Sequence, residues 1–242
     1  MCGIGGLAVY ATAPRVSRPA LAHVASVKIE APAPDEVLVP PRDAADYATQ
    51  RGDLNQLQAQ LAVRHAKGED VVDLAQEAVA QHLGAMVESW IGTPYGFFGT
   101  SEEPGGGRIA CGFFVSTLLE HAGFDVQRIE LGKEPSERIV QTMVAAEAIE
   151  RFDKVPHTNV VQRAVAAGPG IYLVGLDTHT GFLIHDTRAI RFCHATSRKA
   201  NAVVCEPARE SRSLRSDYTV LGKLGAKAAV AWLEGRALRP PS

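Results

Sequence analysis

Aromatic residues are scarce in this chain, at 6%, and no apolar run reaches the roughly 18 residues that a membrane helix needs. The first shortage leaves too few rings for a stacking platform on nucleic acid. The second excludes a transmembrane helix from the sequence. Basic excess is missing too: Lys and Arg total 25 against 27 Asp and Glu, a net charge of -2, so phosphate neutralisation has no source and nucleic acid is not the expected partner. Cysteine is sparse, with 4 in 242 residues, which excludes a disulfide-built scaffold as the organising principle. Neither a CxxC nor an HExxH spacing occurs, so His157, His179, His185 and His194 with Cys193 and Cys205 make a weak zinc set. No metal and no cofactor is expected. The run Gly105-Gly106-Gly107 lacks the Lys-Ser/Thr of a phosphate loop and reads as a flap.

What is present suits a full globular core: 46% hydrophobic and 21% charged residues. Pro14, Pro19, Pro32, Pro34, Pro40 and Pro41 crowd the start, so residues 1–45 read as a proline-rich tether or strap, and residues 46–242 as the folded domain. Met1 to Leu7 is apolar without a basic leader region. Cys2 followed by Gly3 reads as the mature start of a bacterial lipoprotein, with a lipid anchor at Cys2; the plain alternative is an ordinary terminus. Met1-Cys2-Gly3-Ile4 also resembles the start of amidotransferases with an N-terminal cysteine nucleophile, but the prolines that follow argue against a buried first strand.

Helices are expected over 46–66 and 70–90, the second capped by Asp70 and burying Val72, Ala75, Val79, Leu83, Met86 and Trp90 on one face. A glycine-rich loop spans 91–110. A third helix starts at Cys111, buries Phe114, Val115, Leu118, Leu119 and Ala122, and stops at Gly123. Helices are also expected over 136–152 and 158–167. Strands follow over 171–176, 179–185, 189–195, 202–205 and 218–221, then a closing helix over 224–235. Helices first and antiparallel strands second make an α+β fold.

Cys111 opens a helix, where backbone donors and the helix dipole favour thiolate. In a hairpin turning at 186–189, residue 185 pairs with 190, 183 with 192 and 181 with 194. His179 and His194 then share a face as diagonal neighbours about 7–8 Å apart at the backbone, and Gly181 leaves room for both rings. Cys193 points to the opposite face, as core. One thiol and two imidazoles are a candidate nucleophile, base and orienter.

The segments Trp90-Ile91-Gly92-Thr93-Pro94-Tyr95, Ala110-Cys111-Gly112-Phe113-Phe114-Val115, His179-Thr180-Gly181-Phe182-Leu183 and Phe192-Cys193-His194-Ala195, in this order, resemble the successive motifs of the NlpC-like cell-wall cysteine peptidases. The resemblance covers about residues 83–200. It implies a papain-like fold, a helical half packed on an antiparallel sheet. Cys111 is then the nucleophile, His179 the general base, His194 the orienter, and Tyr95 the tyrosine near the oxyanion. It also implies hydrolysis of an amide bond in a peptide substrate, the stem peptide of peptidoglycan, in the bacterial cell envelope or periplasm, with the cytoplasm as the alternative. Ala110 and Gly112 depart from the family's Asp and Ser, and the stretch between the cysteine helix and His179 is long. Glu102 and Glu103, in the loop before the nucleophile, are expected to form an acidic wall that attracts a substrate amine. An acyltransferase or amidase on the same scaffold is the alternative activity, and a non-catalytic envelope binding protein the alternative class.

Overall fold

The computed structural model describes residues 44–241. Cys2 lies outside them, as does the expected tether, apart from its last two positions, which open the first helix. Helix α1 (Ala44–Ala66) precedes α2 (Val72–Ser89), and both lie close to their expected bounds. Asp70 is not the cap of α2; Val71 holds that place without a side-chain bond. The face predicted for α2 is the one the core covers, with Ala75, Val79, Leu83, Met86 and Trp90 buried. Helix α3 (Cys111–His121) buries the stripe predicted for it and ends at Gly123, whose φ of 87° is open to glycine at little cost.

The long stretch after α3 differs from expectation. It holds α4 (Arg128–Leu131), α5 (Ser136–Met143) and a short 3-10 turn, then a strand, β1 (Ile149–Asp153), where helix was expected. Ile149 and Phe152, three apart, would share a face on a helix. On the strand they face opposite ways, and each enters a different core cluster. Helix α6 (His157–Ala166) follows, then β2 (Gly170–Leu176), β3 (Thr180–His185), β4 (Ile190–Ala195), β5 (Val203–Pro207), β6 (Tyr218–Lys223) and α7 (Ala226–Glu234).

The six strands form one antiparallel sheet in the order β1-β6-β2-β3-β4-β5. The fold is α+β. One face of the sheet, through Leu173, Phe182, Ile184, Cys193 and Val203, packs on a core shared with α1, α2, α3, α5 and α7. The other face, through Tyr172, Val174, Leu183, Phe192 and Leu221, packs on α6 and on Ala208 and Leu214. Cover on both faces is why β2 reads as a continuous apolar run rather than an alternating one. Trp90 and Trp232 sit fully inside, as expected of them.

Candidate active site

The predicted hairpin register is the observed one: His185 pairs with Ile190 and Leu183 with Phe192. It brings the histidines together. His179 Nε2 and His194 Nδ1 lie 2.7 Å apart, with the ring planes 85° from parallel. His194 is wholly buried and stacks on Phe192 at 4.4 Å between centroids. A side chain at Gly181 would begin 2.8 Å from His194 Cβ and 2.8 Å from Phe192 Cε2, so glycine there leaves the space the rings occupy. His185 takes no part in this contact.

Cys111 comes to β3 on a different element, at the N-terminus of α3. Its helix begins at the thiol and lays Phe114 against Phe182 of β3, at 5.8 Å between ring centroids. The backbone N–H groups of Thr180, the residue after His179, of Gly112 and of Cys111 itself favour the charged form of the sulfur. The expectation of a thiolate is overturned in balance: burial pushes the thiol up, and the three N–H groups offset this only in part. His179 moves the opposite way. Burial, the neighbouring His194 and the positive charge of Arg198 push it down to about 3, so it is a neutral imidazole at neutral pH. Tyr95 faces the same place. Burial and the nearby Cys111 both raise its hydroxyl, which keeps it a neutral hydrogen-bond donor.

Two residues of the site were absent from the sequence reading. Glu206 Oε1 lies 3.3 Å from His194 Nε2, and Ser211 Oγ donates to the same oxygen at 2.5 Å. The signal was there for Glu206. His194 pairs with Val204, so Glu206, two residues on, shares its face as the next diagonal neighbour. The expected strand stopped one residue short. Ser211 lies in the turn after β5 and carries no pattern that marks it.

Cys193 does point away from His194, but it is not a lone core residue. It pairs directly with Cys205 across β4 and β5 and is disulfide-bonded to it. Bonded sulfurs are not zinc ligands, and among the described residues no group of side chains is placed to hold a metal ion. Cys111 is the free thiol of the described residues.

The glycine-rich loop is stitched rather than loose. Gly105 N–H donates to Thr93 Oγ1, Ser101 N–H to the Arg108 carbonyl, and Ala110 N–H to the Gly99 carbonyl. The expected acidic wall does not form. Glu102 accepts from Arg128 at 2.6 Å and Glu103 lies 3.6 Å from Arg51, so each carboxylate is compensated by a guanidinium. Arg128 is itself buried, and also reaches the Thr100 carbonyl and Thr117 Oγ1. The loop instead presents Phe97 and Phe98, 73% and 88% exposed, on the rim of an open cavity of about 900 Å³ that Arg108 also lines. Cys111, His179 and His194 do not line that cavity.

The same added stretch accounts for Gly112. A Cβ there would lie 2.3 Å from the carbonyl oxygen of Gly132, just past α4, so the serine of the resembled motif does not fit. Ala110 caps α3 in extended geometry and makes no side-chain bond. No family model matches the chain, and neither a curated protein nor a solved structure matches it.

Proposed function

We propose that the protein is a thiol hydrolase of the NlpC-like, papain-like kind that cleaves an amide bond in peptidoglycan peptides, with Cys111, His179 and His194 as its catalytic set. One observation carries this: two histidines hydrogen-bonded at 2.7 Å, with a free thiol whose charged form is favoured by the N–H of the residue following one of them. A buried thiol and a neutral imidazole favour general-base attack over a standing thiolate–imidazolium pair. His179 takes the thiol proton as sulfur bonds to the carbonyl carbon. The oxyanion is met by the Cys111 N–H and the Tyr95 hydroxyl. His179 then gives the proton to the leaving amine, and later draws one from the water that opens the thioester. His194 holds the His179 ring in place.

The Cys193–Cys205 disulfide supports an oxidising compartment, as the envelope or periplasm is. The substrate amine gains no recognition from Glu102 and Glu103, which are already paired; the exposed Phe97 and Phe98 are the better wall for a peptide. Purified protein should release new amine termini from peptidoglycan fragments, and His179→Ala should abolish the release. Fragments left intact beside transfer of an acyl group to an amine acceptor would instead favour acyltransfer.

A further inference from the structure

We propose that Glu206, held by Ser211, is a positioning residue that sets the tautomer of both histidines and thereby decides whether the second nitrogen of His179, Nδ1, is a bare base or an N–H donor. This rests on the catalytic reading of Cys111 and His179.

The argument starts at Ser211, which is 1% exposed. Its oxygen accepts the Leu214 N–H at 3.1 Å, so its single hydroxyl proton is free to go to Glu206 Oε1 at 2.5 Å. Burial alone would raise the Glu206 carboxyl. The bonds from His194 and Ser211, with the charge of Arg198 nearby, outweigh that and hold it below its ordinary value. Glu206 is therefore an anion and only accepts hydrogen bonds.

The ring nitrogen 3.3 Å from it, His194 Nε2, must then carry the hydrogen. A neutral imidazole has one donor and one acceptor, so Nδ1 of a neutral His194 carries a lone pair. That lone pair lies 2.7 Å from His179 Nε2, a distance that two lone pairs or two N–H groups do not share. With His194 in that neutral form, His179 Nε2 is the protonated nitrogen and His179 Nδ1 the bare one, the form a general base requires; a doubly protonated His194 would reverse this. Without the carboxylate the chain loses its direction. The mirror arrangement, with N–H at both Nδ1 positions, becomes accessible, and it offers the thiol a donor in place of a base.

The test is nitrogen-15 labelling of histidine in the whole protein, with long-range proton–nitrogen spectra at pH 8 to read each tautomer, alongside kcat and KM on peptidoglycan fragments. The wild type should show both histidines protonated at Nε2. Glu206→Ala should show mixed tautomers and lower kcat roughly 10- to 100-fold, less than the ~10⁴ that a wrong tautomer costs a full triad, with KM little changed. Glu206→Gln keeps an acceptor oxygen and should recover part of both signals. Nδ1 protonation of either ring in the wild type would overturn the proposal, as would unchanged tautomers in Glu206→Ala. The spectra need no turnover, so absence of hydrolysis with the expected tautomers would count against the catalytic reading alone.

Discussion

Gly181→Ala is the most informative single perturbation of the histidine pair. The added methyl begins 2.7 Å from the Cys193 carbonyl oxygen and 2.8 Å from both His194 Cβ and Phe192 Cε2. Carbon atoms rest about 3.5–4.0 Å apart, so something must shift by roughly 1 Å. Backbone strain is not involved, because Gly181 is not among the glycines with positive φ. The neighbours have little room: Phe192 and His194 are both fully buried, and Cys193 is tied to Cys205. Overpacking of this kind costs about 1–3 kcal/mol, a fall of about 2–12 °C in Tm for a domain of this size. A 1 Å displacement of a catalytic ring can cost ~10²-fold in turnover. Gly222→Ala is the control. Its methyl would begin 2.8 Å from Val144 and 2.9 Å from Val140, in the core and not against the histidines. Thermal unfolding should therefore show both variants destabilised to a similar degree, while kcat on peptidoglycan fragments falls only in Gly181→Ala. Equal turnover in the two variants would refute the claim that this glycine makes space for the pair.

The other predictions concern the thiols, acid and the loop. Peptide mapping after iodoacetamide without reductant should find Cys111 labelled and Cys193 and Cys205 untouched, with the Cys111 rate rising at a higher pH than for an ordinary thiol, because burial raises it. Cys193→Ala with Cys205→Ala should lower the unfolding free energy by about 3 kcal/mol, as expected for so short a closed loop, and an unchanged urea midpoint would deny the bond a role. Burial depresses His179 to about 3 and His121 to about 4. The unfolded chain therefore binds protons below about pH 6.5 that the folded chain refuses, so stability present above that pH is lost as pH falls toward 4. The slope is at most about 1.4 kcal/mol per pH unit for each histidine; His121→Gln should flatten it, and urea midpoints constant between pH 6.5 and 4.5 would contradict the assignment. Phe97→Ala with Phe98→Ala should raise KM with little change in kcat, since both rings are exposed and removed from the reacting atoms.

Local pattern carried most of the fold. A hairpin turn at 186–189 sets the register of Thr180–His185 against Ile190–Ala195, and that register places His179 beside His194. What stayed hidden depended on partners distant in sequence. Ile149 and Phe152 have helical spacing, and only pairing with β6 makes them a strand. Glu102 looks like a free acid until Arg128, 26 residues away, folds onto it. Cys193 and Cys205 are separated by 12 residues and become partners only because β4 and β5 align them. Helix-start position argued for a thiolate at Cys111, but burial, which no local motif reports, has the larger effect.

Trapping the acyl-enzyme tests the central claim most directly. Purified protein is mixed with peptidoglycan fragments, quenched in acid within the first turnovers, digested and read by mass spectrometry. The peptide that contains Cys111 should carry a mass equal to the acyl portion of the cleaved fragment. The adduct should vanish in Cys111→Ala, together with the release of amine termini. Undiminished release from Cys111→Ala, or an adduct on any other residue, would contradict the assignment of Cys111 as the nucleophile.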